Sequence, residues 1–472
     1  MGEETGAVKY DYDLLVIGSG PSGERAALQA AKLGRQAAIV ERKTVIGGVM
    51  IHTGTLPSKT LRETVLYIAG LKQRSIYGLH FEMKSKLTVS ELMHRKDNVI
   101  QKEMEVIKDQ LSRNGIEVIT GDAVLTSPHR VIVSDGPVTN RVISASKIII
   151  SVGARPYHPP GVNIDNKYIY DGESILGLDE IPRTMTVVGG GVIGCEYASI
   201  FAHLGIKVTL LDTRDRLLPF LDNEISDVLT HLMRKYRVKI LLGDGAKEIS
   251  VRNNKVVTIT DSGRQIVSDR LLYSAGRSGN TEDIGLENLN IETDKKGLIK
   301  VDENFQTACE SVYAVGDVIG FPSLASVSMD QGRIASYHAL RRADSPWQHS
   351  MNELMPYGIY TIPELSLVGE TEESARKLGE EFEVGISRFQ ELARGQIMND
   401  QDGLLKLVFR RSDLRLLGVH IIGERSTELI HIGQAVMSFN GTIDYFIDSV
   451  FNYPTLSEAY KVAALDGISR LG

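Results

Sequence analysis

YDLLVIGSGPSG, residues 12–23, decides how the rest of this chain is read. Residues 12–18 form a short apolar run that flows straight into Gly18-Ser19-Gly20-Pro21-Ser22-Gly23. The pattern predicts a strand, a glycine turn and a helix over 24–33 that stops at Gly34. A second strand is expected over 36–40, ending at Glu41. The glycines permit a tight turn and the close approach of a pyrophosphate, whose charge a helix N-terminus favours. Glu41 is placed to accept hydrogen bonds from an adenosine ribose. A lone GxGxxG is better explained by a plain tight turn. Strand, turn, helix, strand and acid together mark a dinucleotide-binding unit.

The order then repeats. A strand over 186–189 leads into Gly189-Gly190-Gly191-Val192-Ile193-Gly194, a helix over 195–204 stops at Gly205, and a strand over 207–211 ends at Asp212. The acid follows its first glycine at the same distance in both copies, Gly18 to Glu41 and Gly189 to Asp212. One dinucleotide needs one such unit, so this chain expects two. Asp212 favours a free ribose hydroxyl, whereas Arg214 and Arg216 just beyond it can supply a guanidinium to a 2′-phosphate. Solvated surface arginines are the plainer alternative.

Between the copies, GGVMIHTGTLPSKTLR (47–62) opens a helix. Gly47 and Gly48 remove side chains where a backbone must approach something bulky. Thr53 or Thr55 can cap the next turn, with Pro57 at the first helical position. Lys59 then stands in the first turn, an unfavourable place for a cation unless it faces an electron-rich ligand or an acidic partner. A helix is expected over 90–114, strands over 117–119, 131–133 and 147–152, and a crossing between domains at 153–156 and 159–161. Residues 311–317 read as a strand ending in Gly-Asp, followed by a helix over 329–341. From about Asp344 the glycine fingerprints stop; strands over 404–409 and 415–422 and a helix over 426–439 suggest a third domain for packing or subunit contact.

Composition narrows the class. At 472 residues, 42% hydrophobic and 24% charged, the chain suggests two to four globular domains. A net charge of −7 argues against nucleic acid as a partner. No apolar run reaches the length of a membrane span. Residues 1–10 lack a signal-peptide pattern, and Gly6 breaks a myristoylation consensus. Only Cys195 and Cys309 occur, so neither a disulfide framework nor a metal cluster is expected. A cytoplasmic enzyme fits these bounds.

The motifs resemble those of the pyridine nucleotide–disulfide oxidoreductases, flavoproteins such as lipoamide dehydrogenase and glutathione reductase, over nearly the whole chain. HTGTLPSKTLR (52–62), GVIGCEYASIF (191–201), TRDRLL (213–218), VYAVGDVIGFPSLAS (312–326), GIYTIPE (358–364) and FNYPTLSEAYKVAAL (451–465) are most similar to the family's transhydrogenase branch. The resemblance implies an α/β fold with two Rossmann-like domains, for FAD and NAD(P), and an α+β C-terminal dimerisation domain. The FAD domain would occupy 1–152 and 277–344, the NAD(P) domain 153–276, and the dimerisation domain 345–472. It implies non-covalent FAD on Gly18, Gly20, Gly23, Glu41 and Asp317, and NAD(P) on Gly189, Gly191, Gly194, Asp212 and Arg214. Further cofactor contacts are implied at Gly48, Thr55, Gly153, Gly276 and Ala325. Lys59 would lie beside the flavin, paired with Glu196, as the catalytic set.

The departures from the family matter as much. Its two redox cysteines stand at the positions of Met50 and Thr55, and its catalytic histidine at that of Tyr453, while Glu458 remains. A thioether cannot relay electrons as a disulfide does, and a tyrosine near pKa 10 is a poor base at neutral pH. Disulfide reduction is therefore not expected. What remains is reversible hydride exchange between NADPH and NAD⁺ through the flavin, at a single nicotinamide site in a homodimer or larger homo-oligomer. The alternatives are an NAD(P)H:quinone or diaphorase-type reductase and, in another class, a flavin-bearing binding or sensor protein. His52 reads equally as a flavin contact or as a structural residue.

Overall fold

The computed structural model describes residues 9–73, 88–136, 139–341, 351 and 354–471. The reading of the first eight residues and the boundary at Asp344 lie outside them. The chain gathers into two compact units: 1–60, 93–157 and 276–351 form one, and 61–92, 158–275 and 352–472 the other.

In the first unit the strands Glu117–Thr120, Ala37–Glu41, Tyr12–Ile17 and Thr139–Ile150 lie side by side in parallel, and Val312–Ala314 adds to Thr139–Ile150. Alternate residues serve opposite faces. Leu14, Val16 and Ile39 enter the core under the helix Pro21–Lys32, while Leu15, Ile17 and Val40 enter the core behind the sheet. Burial on both faces explains why these strands read as continuous apolar runs. The helix Ala325–Leu340 crosses Pro21–Lys32 so closely that a Cβ on Gly332 would stand 1.9 Å from the Ser22 carbonyl oxygen. Antiparallel strands Asp122–Ser127 and Arg130–Asp135 extend the long strand Thr139–Ile150.

The second unit holds a five-stranded parallel sheet ordered Lys239–Leu242, Lys207–Asp212, Thr184–Val188, Arg270–Tyr273, Ile169–Asp171. It also holds an antiparallel sheet of Tyr357–Ile359, Leu365–Gly369, Leu416–Ile422, Leu404–Arg410 and Phe382–Arg388. The helix Glu458–Ile468 lies directly on the last of these, where a Cβ on Gly385 would meet the Ala463 carbonyl oxygen at 1.9 Å.

Several expected boundaries move. The first glycine-turn helix starts at Pro21, not 24, and the second at Val192, not 195. The helix after Gly54 begins at Thr55, so Pro57 is the third helical residue. Its missing N–H still falls among the first-turn donors that have no intrahelical partner. Asp317 does not end a strand; it sits in the 3₁₀ turn Gly316–Ile319, because Gly316 turns left-handed at φ 82°. The helix expected from 329 begins at Ala325. Ala154–Pro156 pairs antiparallel with Arg277–Gly279, so the chain leaves and re-enters the first unit through adjacent strands.

Candidate nucleotide sites

Each site grows from the end of a parallel strand. After Tyr12–Ile17 the chain turns at Gly18, with φ 105°, and a Cβ there would lie 2.4 Å from the Ser151 carbonyl oxygen. Gly23 packs back onto the same turn, its missing Cβ 2.0 Å from the Gly18 carbonyl oxygen. Gly20 faces open space as N-cap of Pro21–Lys32, leaving the first backbone N–H groups of the helix free for an anion. Glu41, almost fully buried, closes the turn: its Oε2 accepts from the Ser19 amide at 2.9 Å and the Ser19 hydroxyl at 2.7 Å.

The second unit repeats this residue by residue. Gly189 turns at φ 103°, and a Cβ on Gly194 would fall 1.8 Å from the Gly189 carbonyl oxygen. Gly191 caps Val192–His203 and faces open space. The Gly190 amide donates to Asp212, as the Ser19 amide does to Glu41. Arg214 folds over the same carboxylate, its Nε donating to Oδ1 at 2.9 Å and its Nη2 to Oδ2 at 2.6 Å. Burial raises the Asp212 carboxyl, but the bonds from Arg214 and Gly190 outweigh it and hold the group below the usual carboxylate range. Arg216 is committed elsewhere, donating to the Asn223 carbonyl at 2.8 Å and to Asp227 at 2.7 Å.

Sequence reading missed two serines that complete the repeat. The Ser151 amide donates to the Ile17 carbonyl and the Ser274 amide to the Val188 carbonyl, and each hydroxyl underlies its glycine turn. Their signal was present as a repeated Ser-x-Gly, Ser151 to Gly153 and Ser274 to Gly276, each ending the last strand before a turn.

The first turn opens onto a cleft lined by Gly18, Gly20, Glu41, Gly48, Thr55, Gly153, Asp317 and Ala325. Gly48, at φ 60°, would press a Cβ to 2.9 Å from the Gly20 Cα, and the Gly47 amide donates to the Ser19 carbonyl. The expected close approach at 47–48 is thus to the glycine turn itself. Burial lifts the Asp317 carboxyl above its ordinary value, and the Arg277 guanidinium 3.8 Å away pulls the other way. Met50 and His52 also line the cleft; a ring nitrogen of His52 lies 2.8 Å from the Ile46 carbonyl oxygen. Lys59 is half-buried one helical turn beyond Thr55, on the same face. Glu196 is buried on Val192–His203, where its Oε1 accepts from the Tyr360 amide at 2.9 Å.

Both cysteines are free: Cys195 is fully buried under the second turn and burial pushes its thiol up, and Cys309 is half-buried in the first unit. Tyr453 is 74% exposed, and Glu458 keeps a buried oxygen without a hydrogen-bond partner among the described residues. Asp222, Glu224 and Glu372 converge in the manner of a metal site, but the Lys406 ammonium stands among them. Among the described residues no helix is long and apolar enough to cross a membrane.

Two glycine turns, each leading into a helix and closed by a buried acid, repeat one pattern in the two units. The chain belongs to the pyridine nucleotide-disulphide oxidoreductase family, whose model matches residues 12–332, with the family's dimerisation domain at 355–464. Membership implies use of FAD and NAD(P) and suggests a homodimer. It is 47% identical to the soluble pyridine nucleotide transhydrogenase of Mycobacterium tuberculosis over 98% of each chain. It is 43% identical to that of Pectobacterium atrosepticum over 98% of this chain and 99% of the relative. Among solved structures it superposes on the HOCl-induced flavoprotein disulfide reductase of Escherichia coli with a TM-score of 0.86 at 29% identity, covering 96% of this chain and 99% of the other. LpdA of M. tuberculosis gives a TM-score of 0.87 at 26% identity, covering 96% and 99%.

Proposed function

We propose that this protein is an FAD-dependent transhydrogenase that exchanges hydride reversibly between NADPH and NAD⁺, one nucleotide at a time. The relatives named for that activity support the reading across almost their whole length. The observation that carries it is the doubled site in a chain whose cleft presents Met50 and Thr55 where a dithiol would be needed.

In this reading FAD sits non-covalently in the first cleft, where it supplies a reversible hydride acceptor. Gly18, Gly20 and Gly23 leave its pyrophosphate room at the helix N-terminus, and Gly48, Thr55, Gly153 and Ala325 supply the rest of the wall. Glu41 accepts from a ribose and Asp317 from the hydroxylated linker. Gly189, Gly191, Gly194, Asp212, Arg214 and Gly276 hold the nicotinamide nucleotide. Lys59 and Glu196 would form the catalytic set, Lys59 supplying a positive charge where negative charge would accumulate on reduction. The segments 1–152 and 277–344 serve FAD, 153–276 serves NAD(P), and 345–472 pairs subunits.

The test is direct. NADPH mixed with an NAD⁺ analogue of distinct absorbance should give reduced analogue at the rate of NADPH loss, with parallel-line kinetics because the first product leaves before the second substrate enters. Dithionite titration should stop at two electrons per flavin. Turnover with quinone but not with the analogue would assign a diaphorase-type reductase instead. Flavin content without turnover on either would assign a binding protein.

A further inference from the structure

The two acids close equivalent turns but differ in how fully they are engaged. A carboxylate oxygen offers two lone pairs. On Glu41, Oε2 accepts from the Ser19 amide and hydroxyl, and among the described residues Oε1 accepts only from the Lys43 amide, at 2.9 Å. One acceptor position stays open on a residue that lines the cleft. On Asp212, Oδ1 accepts from the Arg214 amide at 2.8 Å and from its Nε, and Oδ2 from the Gly190 amide and Arg214 Nη2. All four positions are taken, two of them by one guanidinium. The Asp212 side chain is 4% exposed and that of Arg214 43%, so the arginine is the partner able to leave. Its Nη1 makes no hydrogen bond among the described residues and leaves a second edge for another anion.

A ribose hydroxyl can therefore reach Asp212 only by displacing Arg214, whereas a 2′-phosphate can take the arginine's other edge. We infer that Arg214 sets nucleotide preference by competition: it occupies the ribose-accepting positions of Asp212, weakening NAD(H) as well as strengthening NADP(H). The inference rests on the transhydrogenase reading, since it assigns both nucleotides to the second turn. It goes further than a phosphate-binding arginine would, because an arginine that only gripped phosphate would leave NAD⁺ affinity untouched. The internal pair thereby levels two affinities that a bare aspartate would hold apart. Among the described residues Arg216 makes no hydrogen bond to Asp212; its Nη1 donates to the Asn223 carbonyl and to Asp227.

Equilibrium titration of the FAD-loaded protein with NAD⁺ and with NADP⁺ tests this on the wild type, Arg214→Ala and Arg214→Lys. Far-ultraviolet circular dichroism and the thermal transition report that each variant is folded, and the lysine variant carries the test should the alanine variant unfold. In Arg214→Ala, NAD⁺ should bind about threefold tighter or more and NADP⁺ about tenfold weaker or more. In Arg214→Lys, a single ammonium cannot hold both carboxylate oxygens as a fork does, so NAD⁺ should again bind tighter while NADP⁺ falls less. Unchanged or weaker NAD⁺ binding in the folded variants overturns the inference and leaves the transhydrogenase reading intact. A wild type that binds and is reduced by only one of the two nucleotides overturns the reading itself.

Discussion

A single methyl group distinguishes the glycines of the second turn. On Gly194 it would fall 1.8 Å from a main-chain oxygen, which no rotamer can relieve, whereas on Gly191 it meets nothing within 4 Å. Gly194→Ala must open the turn, an overpacking cost of about 3 kcal/mol or more. It should abolish nicotinamide-nucleotide binding while the first unit still carries flavin. Gly191→Ala should fold as the wild type and lose only affinity. Thermal unfolding followed by circular dichroism, together with nucleotide titration, separates the two; equal loss of stability in both would contradict the packing. Gly189 and Gly194 were legible in the sequence because a turn this tight accepts no side chain at either position. Glu196 was legible only as a motif position, since its partner, the Tyr360 amide, lies 164 residues away.

Among the elements, the helix Asn223–Lys235 depends on a lysine from the antiparallel sheet. Asp222 caps that helix by accepting from the Glu224 amide at 3.1 Å and also takes the Lys406 ammonium at 2.7 Å. The same ammonium reaches Glu372 at 2.5 Å, at the start of the helix Glu372–Lys377. Lys406 is 1% exposed, and although burial lowers its pKa, the bonds it donates to Asp222 and Glu372 outweigh this and hold it charged. Lys406→Met would leave buried Asp222 without its cation and cost about 3 kcal/mol or more. The urea midpoint of the nucleotide-free protein should fall accordingly; a shift of under about 0.5 kcal/mol would mean the cluster is poised rather than stabilising. Nothing in the local sequence of 404–410 announces this, because an apolar strand with one lysine reads as an edge or a solvated face. Helix starts misread in the same way, at Thr55 and Ala325, depend on which first-turn donors the surrounding chain satisfies rather than on local propensity.

At the scale of the molecule, the C-terminal part leaves large apolar side chains exposed: Phe439 at 86%, Val450 at 96% and Tyr453 at 74%. Solvated singly they would be ordinary, but all three fall in the segment matching the family's dimerisation domain. Sedimentation should give a dimer. Truncation after Phe451, which removes the buried Ala459, Tyr460, Ala463 and Ala464, should cost assembly and flavin activity together; an active monomer would refute it. The sequence by itself determined the two nucleotide turns, their closing acids and the absence of cysteines at Met50 and Thr55, because each is a local consequence of residue type at fixed spacing. Only the tertiary structure decided that Ser151 and Ser274 underlie the turns, that Glu41 keeps an acceptor position open, and that Arg214 fills those of Asp212. Which lone pair a donor occupies depends on how side chains are held in space, and spacing along the chain does not encode that.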